Sequence, residues 1–233
     1  MNFLRHGCIE HQIGEDMLCL AFLKPGDIIL DVGANVGYTA MLYAAIAGDT
    51  GHVTAFEPSP RAFMHLSRNC ANLGNVTCIQ AAVSETSGEM RFYETESLDT
   101  SSLIPRDCVQ DYIVPVVTVD EILENAVPPS FIKIDVEGHE HAVFRGMKTL
   151  LSQTNPPVIL FEAASTLTRE KSCDLIQELS QSRYTFHGIL RNGYLCAADE
   201  TEGMSNYLAW PTTRNFPSTV FIDGARQSAR THA

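Results

Sequence analysis

The stretch IILDVGANVG, residues 28–37, decides the fold of this chain. An apolar run that ends in Asp31 and is followed by a glycine-containing turn predicts a buried parallel strand. Glycines at positions 33 and 37 allow a tight turn and the close approach of a ligand. Residues 38–47 then have the composition of a helix. A strand, a glycine loop and a helix N-terminus in this order predict a nucleotide site at which free backbone amides face the ligand.

The composition excludes several classes of protein. The net charge of −12 argues against general nucleic-acid binding, because holding phosphates requires clustered Lys and Arg. Seven cysteines without C-x-x-C spacing predict reduced thiols rather than a disulfide framework or a zinc ribbon. No apolar run reaches the ~20 residues that span a bilayer, and the first residues lack the layout of a secretion signal. We therefore expect a cytoplasmic protein without membrane contact.

The chain divides into three segments. Residues 1–24 predict an N-terminal cap, residues 25–211 a single domain, and residues 212–233 a partly disordered tail. Within the domain, apolar strand patterns alternate with helical patterns. This alternation predicts an α/β fold, a parallel sheet with helices on both faces.

Local patterns predict further elements of that domain. Residues 76–83 are typical of the third strand, and the polar, aperiodic residues 94–112 predict a long surface loop. Two later stretches, 184–190 and 206–210, predict a closing pair of strands around a turn at 192–193.

The residues that end the strands are the first candidates for function, because parallel sheets bind ligands at the carboxyl ends of their strands. They are Asp31, Glu57, Ala82, Asp135 and Glu162. A site built on them would be strongly acidic.

The glycine loop does not fit a dinucleotide. That fingerprint needs glycines at relative positions 1, 3 and 6, where this chain has Gly33, Asn35 and Tyr38. Asp31 would repel a phosphate but suits the cationic head of S-adenosylmethionine, and Glu57 is placed to accept hydrogen bonds from two ribose hydroxyls. The alternative is that both carboxylates only cap turns.

Six stretches of the sequence resemble one known family. They run from about residue 14 to residue 162 and read KPGDIILDVGANVGYTAMLYA, HVTAFEPSPRAFMHLSRNCANLGNV, AAVSETSGE, TVDEIL, FIKIDVEGHEHAVFRGM and PPVILFE. With them the chain resembles the FkbM-type S-adenosylmethionine-dependent methyltransferases. The resemblance implies the class I methyltransferase fold, a Rossmann-like three-layer α/β sandwich. Its mostly parallel seven-stranded sheet has the order 3-2-1-4-5-7-6 and an antiparallel last strand.

The resemblance also implies an activity and a cofactor site. The activity is methyl transfer, usually to a hydroxyl oxygen of a sugar, a polyketide or a similar small metabolite, so the partner is a small-molecule or glycan substrate. By the same resemblance, Glu57 binds the ribose of S-adenosylmethionine, and Ala82 touches the adenine, where many such enzymes have a carboxylate. The residues that would hold the methionine part are Asp31, Gly33, Asn35 and Gly37.

Other functions stay open at this point. An N-methyltransferase of the same fold and a non-catalytic cofactor-binding module fit the same residues. A nicotinamide-dependent oxidoreductase or epimerase is disfavoured by the failed glycine pattern. A homodimer is compatible with the sequence.

The fourth core strand, FIKIDV, carries an unusual charged pair. Lys133 and Asp135 are two residues apart and therefore share one face of the strand. A structural ion pair is one interpretation, because buried charges require a partner. The functional interpretation places Asp135 beside the methyl group that is transferred and lets Lys133 orient it.

The loop after this strand supplies further catalytic candidates. His139 begins a predicted helix that runs to residue 151, and its ordinary pKa suits a general base. Asp135, Glu137 and Glu162 are expected to converge. They could bind Mg²⁺, with Asp135 and Glu162 as ligands, or one of them could keep a raised pKa and act as a base. We prefer the version without a metal.

Overall fold

The computed structural model describes residues 6–97, 100–163, 169–190, 192–197 and 205–220. Its helices are α1 (His6–Phe22), α2 (Tyr38–Ala47), α3 (Pro60–Cys70), α4 (Val119–Ile122), α5 (Glu140–Arg145), α6 (Lys148–Leu151) and α7 (Arg169–Leu179). Its strands are β1 (Ile28–Val32), β2 (His52–Phe56), β3 (Val76–Ile79), β4 (Ala82–Val83), β5 (Gly88–Glu94), β6 (Gln110–Val117), β7 (Phe131–Ile134), β8 (Val158–Glu162), β9 (Tyr184–Ile189), β10 (Leu195–Ala197) and β11 (Asn206–Pro211). None of the helices in these ranges has the length and apolar character needed to cross a bilayer.

The central sheet confirms the predicted fold class. Its strand order is β3-β2-β1-β7-β8-β11-β9-β10, which is the expected 3-2-1-4-5-7-6 order with one more strand at the edge. The first five of these strands run parallel, and β11 pairs antiparallel with both β8 and β9. The additional strand β10 folds back on β9. The turn at 192–193, which was expected to lead into β11, leads into β10 instead.

A second sheet replaces part of the predicted loop. Its order is β4-β6-β5, and β6 pairs antiparallel with β5 from Glu94↔Gln110 to Gly88↔Val116. The single strand predicted over 76–83 is therefore wrong, since β3 lies in the central sheet and β4 in the second one. The predicted loop over 94–112 is also too long, because residues from Gln110 onward belong to β6.

The two faces of the central sheet bury different cores. Ile29 and Phe131 lie in a cluster with residues of α1 and α2, whereas Leu30 and Ile132 lie in a cluster with residues of α5, α6 and α7. Successive residues of a strand point to opposite faces, so this alternation orients the polar residues as well. It directs Asp31, two residues after Ile29, to the face that α1 and α2 cover.

Three local features depart from or extend the predicted pattern. The helix predicted over 139–151 is broken into α5 and α6 at Gly146, where a Cβ atom would lie 2.0 Å from the carbonyl oxygen of Ser84. Phe216 of the predicted tail stacks on Trp210 with ring centroids 4.5 Å apart. Residues 221–233 of that tail lie outside the described residues, and the predicted domain boundaries stay predictions.

Candidate active site

Four carboxylates lie at the carboxyl edge of the central sheet and on one of its faces. Each follows a core residue of the α1 and α2 face by an even number of positions, which places it on that face. They are Asp31 in the last residues of β1, Glu57 after β2, Asp135 after β7 and Glu162 at the end of β8. The strand alternation therefore brings together the acids that the sequence singled out.

Asp31 is fully buried and only half satisfied. Its Oδ2 accepts a hydrogen bond of 2.7 Å from Oγ1 of Thr39, in the first turn of α2. Its Oδ1 is buried and has no hydrogen-bond partner among the described residues. Burial raises the pKa of Asp31, although the nearby Lys133 opposes that shift. The carboxylate can therefore receive one more hydrogen-bond donor.

Glu57 holds the two turns around it. Its Oε2 accepts a hydrogen bond of 2.8 Å from the backbone N–H of Asn35, and its Oε1 accepts one of 2.8 Å from the N–H of Ser59. Burial raises the pKa of Glu57 to about 7. Glu57 thus does cap these two turns, as the alternative expected. Each carboxylate oxygen still has a lone pair for a further donor.

The backbone amides of the glycine loop are not free. The N–H groups of Gly33 and Ala34 donate to the carbonyl of Phe56 at 3.0 and 2.9 Å, and that of Gly37 donates to the carbonyl of Ala34 at 2.8 Å. The N–H of Asn35 is bound to Glu57. The prediction that free amides face the ligand is wrong for these four groups, because the loop folds back on β2 and uses them internally. A diphosphate would find no donor in them.

Two glycines of the loop are required by neighbouring protein atoms. Gly33 has φ of +83°, and a Cβ there would lie 1.8 Å from the carbonyl oxygen of Asp135. Gly37 has φ of +91°, and a Cβ there would lie 2.7 Å from Cδ1 of Leu66. A side chain at either position would push the loop away from β7 or α3. Gly33 therefore lets the loop lie directly against the backbone of Asp135, and Gly37 lets it lie against Leu66 of α3.

Lys133 and Asp135 form an ion pair inside the site. The Nζ of Lys133 donates a hydrogen bond of 2.9 Å to Oδ2 of Asp135, and the two side chains are 5% and 38% exposed. Burial raises the pKa of Asp135, but the charge of Lys133 outweighs it and leaves the pKa below its ordinary value. Asp135 is thus a carboxylate that reaches the surface of the site.

Three carboxylates converge at this point. Asp135, Glu137 and Glu162 each place one oxygen within 4.8 Å of the others. Burial, followed by the charge of Asp135, raises the pKa of Glu162 to about 8, and the two carboxyl groups are hydrogen-bonded. Glu162 therefore tends to keep its proton beside the ionised Asp135.

The backbone of Glu137 is held in an unusual conformation. Its φ is +55°, and its carbonyl accepts hydrogen bonds of 3.0 Å from Oγ of Ser102 and 2.9 Å from Nη2 of Arg106. The segment between β5 and β6, predicted as a long loop, thus lies against the catalytic candidates.

His139 lies apart from the three converging carboxylates. Its Nε2 is hydrogen-bonded to Oγ of Ser84 at 2.8 Å, and burial lowers its pKa. Glu140 closes the preceding loop, since its Oε1 accepts hydrogen bonds from the N–H groups of Gly138 at 3.0 Å and Val136 at 3.3 Å. Ala82 is buried in β4, where it pairs with Val116 of the second sheet.

Sequence reasoning missed two residues of this region. Thr39 binds Asp31, and a hydroxyl one turn into the helix after a glycine loop was a signal that could have indicated it. Glu15 of α1 is buried and interacts electrostatically with Lys133 and Asp135. Nothing in its local sequence marks it, because only the packing of α1 on the sheet brings it there.

Comparisons with known proteins point to one family. A family model described as a methyltransferase FkbM domain matches residues 31–198. The chain is 30% identical over 149 residues to the hexuronic acid methyltransferase AglP of Haloferax volcanii, which covers 63% of this chain and 60% of that protein. It is 41% identical over 81 residues to the 31-O-demethyl-FK506 methyltransferase FkbM of Streptomyces tacrolimicus, covering 33% of this chain and 30% of that protein.

A structural similarity accompanies these matches. The fold is similar to that of a SAM-dependent methyltransferase from Aquifex aeolicus, with a TM-score of 0.49, 13% identity and coverage of 88% of this chain and 92% of that one. The chain spans only 60% and 30% of the lengths of the two sequence relatives. The family model, in contrast, matches most of this chain and includes Asp31, Glu57, Asp135 and Glu162. The chain therefore belongs to the FkbM methyltransferase family.

Proposed function

We propose that this protein is an S-adenosylmethionine-dependent methyltransferase that methylates a hydroxyl oxygen of a sugar or another small metabolite. The observation that carries the proposal is the set of carboxylates on one sheet face, beside a loop whose amides at 33, 34, 35 and 37 are already used. Such a site favours a cationic nucleoside over a diphosphate. The family, and relatives named for a hexuronic acid and for 31-O-demethyl-FK506, support an oxygen acceptor.

The residues present fit this cofactor. The unpartnered Oδ1 of Asp31 would accept a hydrogen bond from the methionine part, which Gly33, Asn35 and Gly37 would also border. The lone pairs that remain on Glu57 suit two ribose hydroxyls. Ala82 is proposed beside the adenine. When bound, the cofactor supplies an electrophilic methyl group on a sulfonium.

The chain's own residues would supply the base and the orientation. We assign Asp135 and Glu162, which share a proton, as the pair that receives the proton of the acceptor hydroxyl. Lys133 would hold Asp135 in place through its 2.9 Å hydrogen bond. Glu137 borders the same spot. His139, bound to Ser84, is the alternative base. Positioning of the acceptor would provide much of the rate acceleration.

A Mg²⁺ ion is the alternative use of the same carboxylates. Asp135, Glu137 and Glu162 could offer it three oxygens, and the ion would lower the pKa of the acceptor hydroxyl. We favour the base without a metal, because Lys133 already supplies a positive charge to Asp135. Activity that persists in EDTA and does not rise with added Mg²⁺ would support this choice.

The net charge of the protein bears on the kind of partner that it binds. With a net charge of −12 we propose that the protein acts on a small molecule or glycan and not on nucleic acid. From the sequence we also propose a cytoplasmic location and a homodimer. Gel filtration with light scattering would test the dimer.

Calorimetry with S-adenosylmethionine tests the proposed cofactor. The wild type should bind saturably, and Glu57→Ala should bind at least about 10-fold more weakly, because it loses hydrogen bonds to a charged group. Glu89→Gln, which removes an exposed carboxylate from β5, serves as the matched control. Methyl transfer from labelled cofactor to a panel of hydroxylated sugars would then identify the acceptor. Wild-type protein that gives no heat with this nucleoside would refute the proposal.

A further inference from the structure

Helix α1 is fixed above the acidic edge of the sheet. Its residues Leu18 and Cys19 are buried in the same cluster as Ile29 of β1. Nearer its N-terminus, Oδ2 of Asp16 accepts a hydrogen bond of 2.6 Å from the hydroxyl of Tyr38, the first residue of α2. Because Tyr38 directly follows the glycine loop, this contact places α1 beside that loop.

Glu15 lies on the face of this helix that packs on the sheet, because it precedes the buried Leu18 and Cys19 by three and four positions. It is 6% exposed, and the charged groups that act on it are Lys133, Asp135 and Asp16. Its carboxylate makes no hydrogen bond to any side chain that the structure describes. A carboxylate that is mostly buried and has no donor is unfavourable, since it has lost most of its water without a replacement. The position therefore calls for a partner that the chain does not provide.

The charges around Lys133 are unbalanced. Three carboxylates act on its ammonium, namely Asp135, Asp31 and Glu15. Asp135 takes the hydrogen bond from Lys133, at 2.9 Å. Oδ1 of Asp31 is left without a partner within the described part of the chain, and Glu15 accepts no hydrogen bond from a described side chain. The carboxylates of the site thus outnumber its one cation and its N–H and O–H donors.

The missing partner must be a cation that also donates hydrogen bonds. A primary ammonium meets both requirements, since it carries one positive charge and three N–H groups. A sulfonium has the charge but no donor. We propose that Glu15, together with Asp31, receives the α-ammonium group of the methionine part of S-adenosylmethionine. This inference rests on the proposed function and adds α1 to the cofactor site.

The proposal assigns Glu15 to ligand selection. Nucleosides that carry the amino-acid part would gain from Glu15, whereas nucleosides that lack it would not. S-adenosylhomocysteine and 5′-methylthioadenosine form the matched pair of probes, because both contain thioadenosine and only the first has the α-ammonium. Neither has a sulfonium, so any difference between them is independent of that charge.

Calorimetry with these two probes tests the proposal on Glu15→Gln, which keeps the size of the side chain. We expect binding of S-adenosylhomocysteine to weaken about 10- to 100-fold, as for a lost hydrogen bond to a charged group, and binding of 5′-methylthioadenosine to stay the same. Glu15→Asp, which keeps the charge, should recover part of the affinity. Asp16→Asn removes one charge from the same helix and should not discriminate between the probes.

Other outcomes would overturn the proposal. Equal weakening of both probes would show that Glu15 only holds α1 in place. Unchanged binding of both, or a loss confined to S-adenosylmethionine, would exclude contact with the α-ammonium. If Glu15→Gln did not fold, Glu15→Asp would be compared with wild type on the same two probes, and equal ratios would refute the assignment. Wild-type protein that binds neither S-adenosylmethionine nor either probe would refute the proposed function itself.

Discussion

The Nζ atom of Lys133 lies 2.9 Å from Oδ2 of Asp135, with both residues on one strand and its extension. The lysine is almost fully buried, and the pKa of its ammonium is raised because three carboxylates outweigh the effect of burial, which alone would lower it. Asp135 is 38% exposed, so the pair joins the interior of the sheet to the surface of the site. A structural ion pair and a catalytic carboxylate are therefore compatible in the same two residues.

Removing the cation should destabilise the fold. Lys133→Met leaves Asp31 and Glu15 buried without their positive partner, and we expect a loss of about 3 kcal/mol, the low end for a broken buried pair because solvent reaches Asp135. Urea unfolding would measure it. The double variant Lys133→Met/Asp135→Asn should recover part of the loss. If Lys133→Met were as stable as the wild type, the proposal that unpaired buried carboxylates destabilise the fold would be contradicted.

Gly33→Ala should be much more harmful than Gly48→Ala. Both glycines have positive φ, of +83° and +61°, so both variants incur backbone strain of about 1–3 kcal/mol. Only Gly33 faces a backbone oxygen, 1.8 Å from the added Cβ, whereas nothing lies within 4 Å at Gly48. The overlap should add about 1–3 kcal/mol or more. Thermal unfolding measures both, and equal losses would show that the close contact is unimportant.

The parts of the site that the sequence predicted are those that local periodicity fixes. A strand alternates its faces every residue, so the core positions Ile29 and Phe131 determine where Asp31, Lys133 and Asp135 point. The strand ends follow from the turns beyond them. This is why the acidic edge was predictable without coordinates, whereas the strand order, apart from the added edge strand β10, was implied by the family resemblance.

The parts that were missed depend on contacts between distant segments. Residue 15 meets residue 133 only because α1 packs on the sheet. The sequence indicates an extra strand over residues 89–93, but no local pattern shows that β5 pairs with β6 over residues 88–117 and forms a second sheet. The amide of Asn35 is used by Glu57, 22 residues further on, and no local pattern reveals that bond.

The stability of the ligand-free protein should fall as pH rises from about 5 to about 8. Burial raises the pKa of Glu15 and of Glu57 to about 7, and that of Glu162 to about 8, from an ordinary value of 4.5. In this range the unfolded chain has lost these protons while the folded protein still holds them, so raising the pH favours the unfolded state, and the decline ends once the buried carboxyls of the folded protein have ionised. Melting temperatures across the range would show the decline, and Glu162→Gln should reduce it. A melting temperature that rises with pH would contradict these shifts.

His139→Ala should reduce methyl transfer by less than about 10-fold. The ring is hydrogen-bonded to Ser84 at 2.8 Å, its pKa is lowered by burial, and it is not among the carboxylates that converge on Asp135. Initial rates with a saturating acceptor would measure the effect. Ser84→Ala provides the control, because a base that Ser84 orients would lose activity in both variants. A loss of several orders of magnitude in both would assign the base to His139.

Glu162→Gln should remove the pH dependence of methyl transfer. In the wild type, Glu162 holds its proton up to about pH 8, so kcat/KM should rise as pH increases through that value and the shared proton leaves the pair. The glutamine amide can still donate to Asp135 but cannot ionise, which leaves a flat profile and a rate about 10²- to 10⁴-fold lower. Cofactor affinity, measured alongside, should stay close to that of the wild type. A flat wild-type profile, or a rise that survives in Glu162→Gln, would show that the proton of the acceptor goes elsewhere.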